Sequence, residues 1–346
     1  MKNLFKHFND IDIDVNEFEQ VDVTEFEKAQ YKKDLKSKVS QTKSRRWMKS
    51  AAAVCLTLGI GTASLVGLSY TTFAQEIPII NSIINLFSDK EQILAEAGEF
   101  VEPLNLVNES DRITITINES LFDSKQFFVG YSIETDKDLG ENPRIKGGFK
   151  LNGQQHTLHQ DDYYRIEKVG ENQYAGLSTA ILPITTSLQE ANFEFFITSI
   201  TSEDLTETIH GSWNFDLYAK APENSEQKVE GISQKDNMSV ELKKITYTPF
   251  SFTVNFQESI QNKSLKENYV MIVSYLDAKD DLGNEYSSKP NGGSGSDGKK
   301  DMSTTFGKLH PSAKKLIFTP HFKLWKEDSD KFEIIELEEI IVEIEK

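Results

Sequence analysis

Asp111-Arg-Ile-Thr-Ile-Thr-Ile-Asn-Glu-Ser-Leu-Phe-Asp123, followed by Phe127-Phe-Val-Gly-Tyr-Ser-Ile133, decides the fold class. Isoleucine and threonine alternate with period two, which places one face of a strand on a core and the other toward solvent. A turn near Asp123-Ser124 separates this strand from the aromatic one after it. Further strands are expected at Gly148–Leu151, Tyr163–Val169, Asn192–Ile200 and Gly211–Leu217. Lys220-Ala-Pro-Glu-Asn-Ser-Glu226 then reads as a polar linker. The 22 Phe and 11 Tyr of the 346 residues suit this β texture.

The pattern repeats further along. Asp236-Asn-Met-Ser-Val-Glu-Leu-Lys-Lys-Ile-Thr-Tyr-Thr-Pro249 precedes Phe252-Thr-Val-Asn-Phe256, as Asp111–Asp123 precedes Phe127–Ile133. Asp136-Lys-Asp-Leu-Gly-Glu-Asn142 has a counterpart in Asp280-Asp-Leu-Gly-Asn-Glu285. Asn291-Gly-Gly-Ser-Gly-Ser-Asp-Gly298 reads as a flexible loop, too polar and without the GK[ST] of a nucleotide site. Phe332–Glu345 alternates apolar residues with Glu and reads as a last strand near a charged sheet edge. The expected fold is mainly β, with two tandem immunoglobulin-like β-sandwich domains at residues 108–220 and 228–346.

Upstream of the β region the chain divides sharply. Ser50–Gln75 contains no Lys, Arg, Asp or Glu and is long enough to cross a bilayer as one transmembrane helix. Nine basic residues and one acid, Asp34, lie between Lys28 and Lys49. Such a flank holds that end in the cytoplasm and attracts anionic membrane lipid. Residues 1–49 are then a short cytoplasmic segment, with a helix starting after the Thr24/Glu27 capping pair, and not a cleaved signal. Residues 76–107 form a connector on the outer side. Within it Ile77–Phe87 either packs on the next domain or lies in the interface. Ser88, Glu91 and Gly98 mark a short helix near Asp89–Ala97.

The chemistry is sparse. The net charge of −17 argues against nucleic acid as a partner. The single cysteine, Cys55, excludes an internal disulfide or a cysteine-based metal site. His156, His159, Asp161 and Asp162 form the densest group of metal-ligand types, but positions three apart on a strand face opposite sides. The acidic stretches Asp136/Asp138/Glu141 and Asp280/Asp281/Glu285 lack full calcium-loop spacing and read as glycine-centred turns. No nucleophile elbow or phosphate loop occurs. The expectation is a protein that is not an enzyme, with no catalytic, metal or cofactor residues.

Residues 1–140 resemble a Gram-positive family of single-pass membrane proteins built around an extracytoplasmic domain of unknown function. These proteins are described as negative effectors of extracytoplasmic-function sigma factors. Five features carry the likeness: the DIDID and EFE segments (Asp10–Glu19), the basic helix, the exit Phe73-Ala-Gln-Glu-Ile-Pro-Ile-Ile80, the ITIN…FD strand and the turn DLGENP (Asp138–Pro143). The resemblance implies an anti-sigma-like role, a second carboxy-terminal β domain and no catalytic residues. Partner contact with a cytoplasmic sigma factor is expected through Phe18, Val21, Val23 and Phe26, in the acidic-apolar stretch Asp10–Phe26. The β domains would meet an envelope ligand of unspecified chemistry. An envelope-binding or adhesion module on a simple anchor is the other reading.

Overall fold

Two hairpins with the same turn open the two halves of the β region. Strand β1 (Glu102–Ser110) meets β2 (Ile113–Phe122) across Asp111-Arg112, with φ of 49° and 62°. Strand β10 (Ser225–Lys235) meets β11 (Met238–Tyr247) across Asp236-Asn237, with φ of 51° and 58°. Two consecutive left-handed residues match the twist of the flanking strands, and three of the four, Asp111, Asp236 and Asn237, are of types that tolerate that conformation. The computed structural model describes residues 82–89, 92–152, 157–158, 164–183, 186–326 and 331–345. All of them fall within one compact unit, Tyr70–Lys346.

The first module adds β3 (Gln126–Thr135), β4 (Arg144–Leu151), β5 (Thr157–Leu158), β6 (Tyr164–Gly170), β7 (Gln173–Ile181), β8 (Glu190–Thr201) and β9 (Thr208–Lys220). Its strands form two antiparallel sheets, ordered β1-β2-β3-β7-β6 and β5-β4-β8-β9. The second adds β12 (Phe252–Ile260), β13 (Met271–Asp280), β14 (Glu285–Tyr286), β15 (Ser288–Ser296), β16 (Lys299–Phe306), β17 (Lys315–Trp325), β18 (Phe332–Glu336) and β19 (Ile340–Glu343). Its sheets run β10-β11-β12-β16-β15 and β14-β13-β17-β18, with β19 also on β17. Adding nine to each strand of the first module reproduces the second, so the repeat read from the sequence is a repeat of topology.

In each module both sheets bury their apolar faces in one core. Phe127 on β3 stacks on Phe193 of β8 with ring centroids 4.2 Å apart, and Phe149 on Phe195 at 4.7 Å. Trp213 is wholly buried and satisfies its indole by donating Nε1–H to the Ile113 carbonyl at 3.0 Å. In the second module Phe306 stacks on Phe252 at 4.9 Å and tilts against Phe318 of the facing sheet.

Three expectations need correction. Asn291–Gly298 is not a loop between strands: it supplies most of β15 and the turn at Asp297-Gly298. Its glycines serve close approach, since a Cβ on Gly293 would lie 2.0 Å from Met302 Sδ and one on Gly295 2.2 Å from the Lys299 carbonyl. The carboxy-terminal segment is two strands, β18 and β19, interrupted at Leu337–Glu339. The DLGEN and DLGNE stretches occupy different places, between β3 and β4 and between β13 and β14. They share turn chemistry, with Gly140 at φ 83° and Gly283 at φ 88°, and not a position in the repeat.

Candidate functional site

The connector is where the fold becomes informative about function. Helix α1 (Ile83–Leu86) is capped by Ser82, whose Oγ accepts from the Asn85 amide at 3.1 Å. The same hydroxyl donates to Glu119 Oε1 at 2.8 Å, and the Ile84 amide donates to that oxygen at 2.6 Å. Glu119 lies on β2 and is buried, so a carboxylate of the sheet satisfies the first turn of the connector. Helix α2 (Gln92–Ala95) and a 3-10 turn, Gly98–Phe100, follow. Ile84, Phe87, Leu94 and Ala97 are fully buried. They pack against Leu121, Phe128, Ala175 and Leu177, which cover the outer face of the first sheet. For Ile83–Phe87 the choice between domain and membrane interface is thus settled in favour of the domain.

The second module reaches the same core. The turn Thr248-Pro249-Phe250-Ser251 between β11 and β12 holds Phe250 at its tip, fully buried and 5.3 Å from the Phe100 ring. A pair between Lys308 and Glu96 at 3.6 Å adds a second link between connector and second module. The equivalent turn of the first module is Asp123–Gln126, between β2 and β3. The two turns meet: Ser251 Oγ donates to Asp123 Oδ2 at 3.3 Å. Asp123 Oδ1 also accepts the Lys125 amide at 2.8 Å and the Gln126 amide at 2.5 Å. Burial raises the Asp123 carboxyl above the usual carboxylate range, against the pull of these three donors. Gln126 Nε2 donates to Asn291 Oδ1, and Lys289 lies 5.1 Å over the Phe128 ring.

Beside these turns lies a cavity of about 340 Å³. The first module contributes Ser124 and Lys125; β11 and β12 contribute Lys243, Lys244, Thr246 and Asn255 from the outer face of the third sheet. Lys125 is only 4% exposed and donates from Nζ to the carbonyls of Pro183 (2.7 Å) and Thr186 (3.3 Å). Burial pushes its ammonium from the ordinary 10.5 down to about 8; the Asp123 charge opposes the shift and the Lys244 charge adds to it.

This shift has a measurable sign. Between about pH 8 and 10.5 the unfolded chain holds a proton that folded Lys125 has lost, so Lys125 contributes increasing stability as pH rises through that window. Denaturant midpoints across the window should rise more steeply for the wild type than for Lys125→Met. Lysines with raised values, such as Lys168 and Lys279, are common to both chains and cancel.

The residues singled out for partner contact, Phe18, Val21, Val23 and Phe26, lie outside the described residues, as do the run Ser50–Gln75 and the four candidate ligands His156, His159, Asp161 and Asp162. Among the described residues no helix is long and apolar enough to cross a membrane, and no cluster of three or more His, Cys, Asp or Glu could hold a metal. The acidic turns spend their carboxylates locally. Asp280 accepts from the Leu282 and Asn284 amides, Asn284 Nδ2 and Tyr286 Oη, while Asp138 pairs with Lys168 at 2.7 Å. Glu119, Lys125 and Phe250 went unnoticed in the sequence. The only available signal was a bulky apolar residue at a hairpin tip, Pro249-Phe250.

Residues 42–135 match a domain of unknown function (DUF4179), and residues 224–345 match a family of unknown function (DUF5643). The crystal structure of the conserved domain protein from Bacillus anthracis is 30% identical, with a TM-score of 0.64, over 71% of this chain and 92% of that one. The chain belongs to the same family as that protein. Within this family arrangement the DUF5643 match coincides with the second module. The DUF4179 match takes in the apolar run and the connector and stops at the end of β3. None of the curated proteins matches the chain.

Proposed function

We propose that the chain is a membrane-anchored regulator, an anti-sigma-like negative effector, whose two immunoglobulin-like β modules control a cytoplasmic segment. In this reading Ser50–Gln75 crosses the membrane once with residues 1–49 inside, and the basic flank rests on anionic lipid. Phe18, Val21, Val23 and Phe26 hold a sigma factor. The observation that carries the reading is the clamping of the described connector residues, 82–89 and 92–100, by both modules at once. Such a clamp gives a sensor a physical hold on that segment, which an envelope-binding module on a plain anchor does not require.

The full chain, solubilised in detergent from its own cells, should capture a sigma factor, and the Phe18→Ala/Phe26→Ala chain should lose it. Capture of no sigma factor by the wild type would sink the regulatory reading. A transcript profile unchanged when residues 1–27 are replaced would point to an envelope-binding module on a plain anchor.

A further inference from the structure

We propose that the cavity between the Asp123–Gln126 turn and the outer face of the third sheet is a binding site for a phosphate-type oxyanion. The chain carries net charge −17, yet among the described residues this cavity is lined by three lysines and by no carboxylate. Glu241 pairs with Lys243 at 2.5 Å and Glu226 with Lys244 at 2.6 Å, and neither acid is part of the lining. The rest of the lining is hydroxyl and amide: Ser124, Thr246 and Asn255 can all donate to an oxyanion. Lysine acts on phosphate as a point charge, so convergence of several ammonium groups matters more than planar geometry.

Lys125 is the part that marks a built site. Bringing a lysine under the surface is costly, and placing it near Lys244 adds repulsion. Its two carbonyl partners use two of three ammonium donors and leave one for the cavity. An oxyanion between Lys125 and the β11 lysines relieves that repulsion. The cavity is larger than one phosphate requires, so an ester carrying a small alcohol such as glycerol also fits.

The site touches the signalling path. The turn that presents Lys125 also presents Asp123 to Ser251, and the Ser251 turn holds Phe250 in the connector core. A bound anion would stiffen that contact and with it the connector. This consequence rests on the regulatory reading; binding itself does not.

Calorimetric titration of the full chain in detergent tests the site, with inorganic phosphate in one arm and a glycerol phosphodiester in the other. Binding in at least one arm is expected, weakened about tenfold or more in Lys243→Gln/Lys244→Gln. Those two side chains are 43% and 32% exposed, so the variant keeps its fold, checked by its melting temperature. Tighter binding of the diester assigns the site to an envelope polymer; tighter binding of inorganic phosphate assigns it to the free anion. Absence of binding in both arms, or equal affinity in the double variant, overturns the proposal. Sigma-factor capture plays no part in this measurement, so its failure leaves the regulatory reading to its own test.

Discussion

Phe250→Ala should loosen the connector and lower the stability of the two-module β unit by about 3–5 kcal/mol, the usual cost of emptying a fully buried phenylalanine site. Phe250 stands at the tip of a hairpin turn, where an aromatic ring would ordinarily be exposed. Here it is fully buried against Phe100 and the connector core. Its loss removes the second module's main apolar hold on the connector and leaves the cores of both modules intact. Amide exchange should therefore accelerate across Ile83–Ala97 while β3 and β12 stay protected. Phe250→Leu, which keeps most of the volume, should cost under about 1.5 kcal/mol. Equal exchange at the connector and the cores would show that Phe250 holds the modules and not the connector.

Glu119→Ala attacks the same segment from the other side and should cost about 1–3 kcal/mol. One carboxylate oxygen accepts from both Ser82 Oγ and the Ile84 amide, so its removal strands a buried donor at the start of α1. Glu119→Gln retains an acceptor and should lose less. Combined with Phe250→Ala, the loss should exceed or fall short of the sum, because both residues hold one small core. Additive unfolding free energies would mean that the two clamps act independently.

What could be read from the sequence follows from how many faces of each strand are wet. Strands β9 and β11, and β2 as far as Asn118, alternate because one face is buried and the other is at least partly open to solvent. Strand β7 escaped notice because Tyr174-Ala-Gly-Leu-Ser-Thr-Ala180 is buried on both sides, by the module core on one face and the connector on the other. Strand β1 escaped for the opposite reason, with Leu106 and Val107 exposed and an irregular register after Pro103. The glycines of β15 suggested a loop because local composition does not show how closely the partner strand passes. The topological repeat was visible at its hairpin turns. The junction was not, since Asp123, Phe250 and Ser251 meet only through tertiary packing across 128 positions of sequence.

In the proposed regulator, the state of the two-module junction reaches the amino-terminal segment through the connector. A covalent lock tests it directly. A Cβ on Gly130 would lie 3.3 Å from Ile83 Cβ, close to the separation a disulfide spans, with the Glu119 side chain yielding slightly. In a Cys55→Ala background, Ile83→Cys with Gly130→Cys pins the connector to β3. The measurement is the cellular transcript profile of Phe250→Ala with and without that lock, at matched protein level. Phe250→Ala should alter sigma-dependent transcripts, the oxidised lock should restore the wild-type profile, and a thiol reductant should abolish the rescue. Transcripts unchanged by Phe250→Ala, or altered equally with and without the lock, would contradict this coupling.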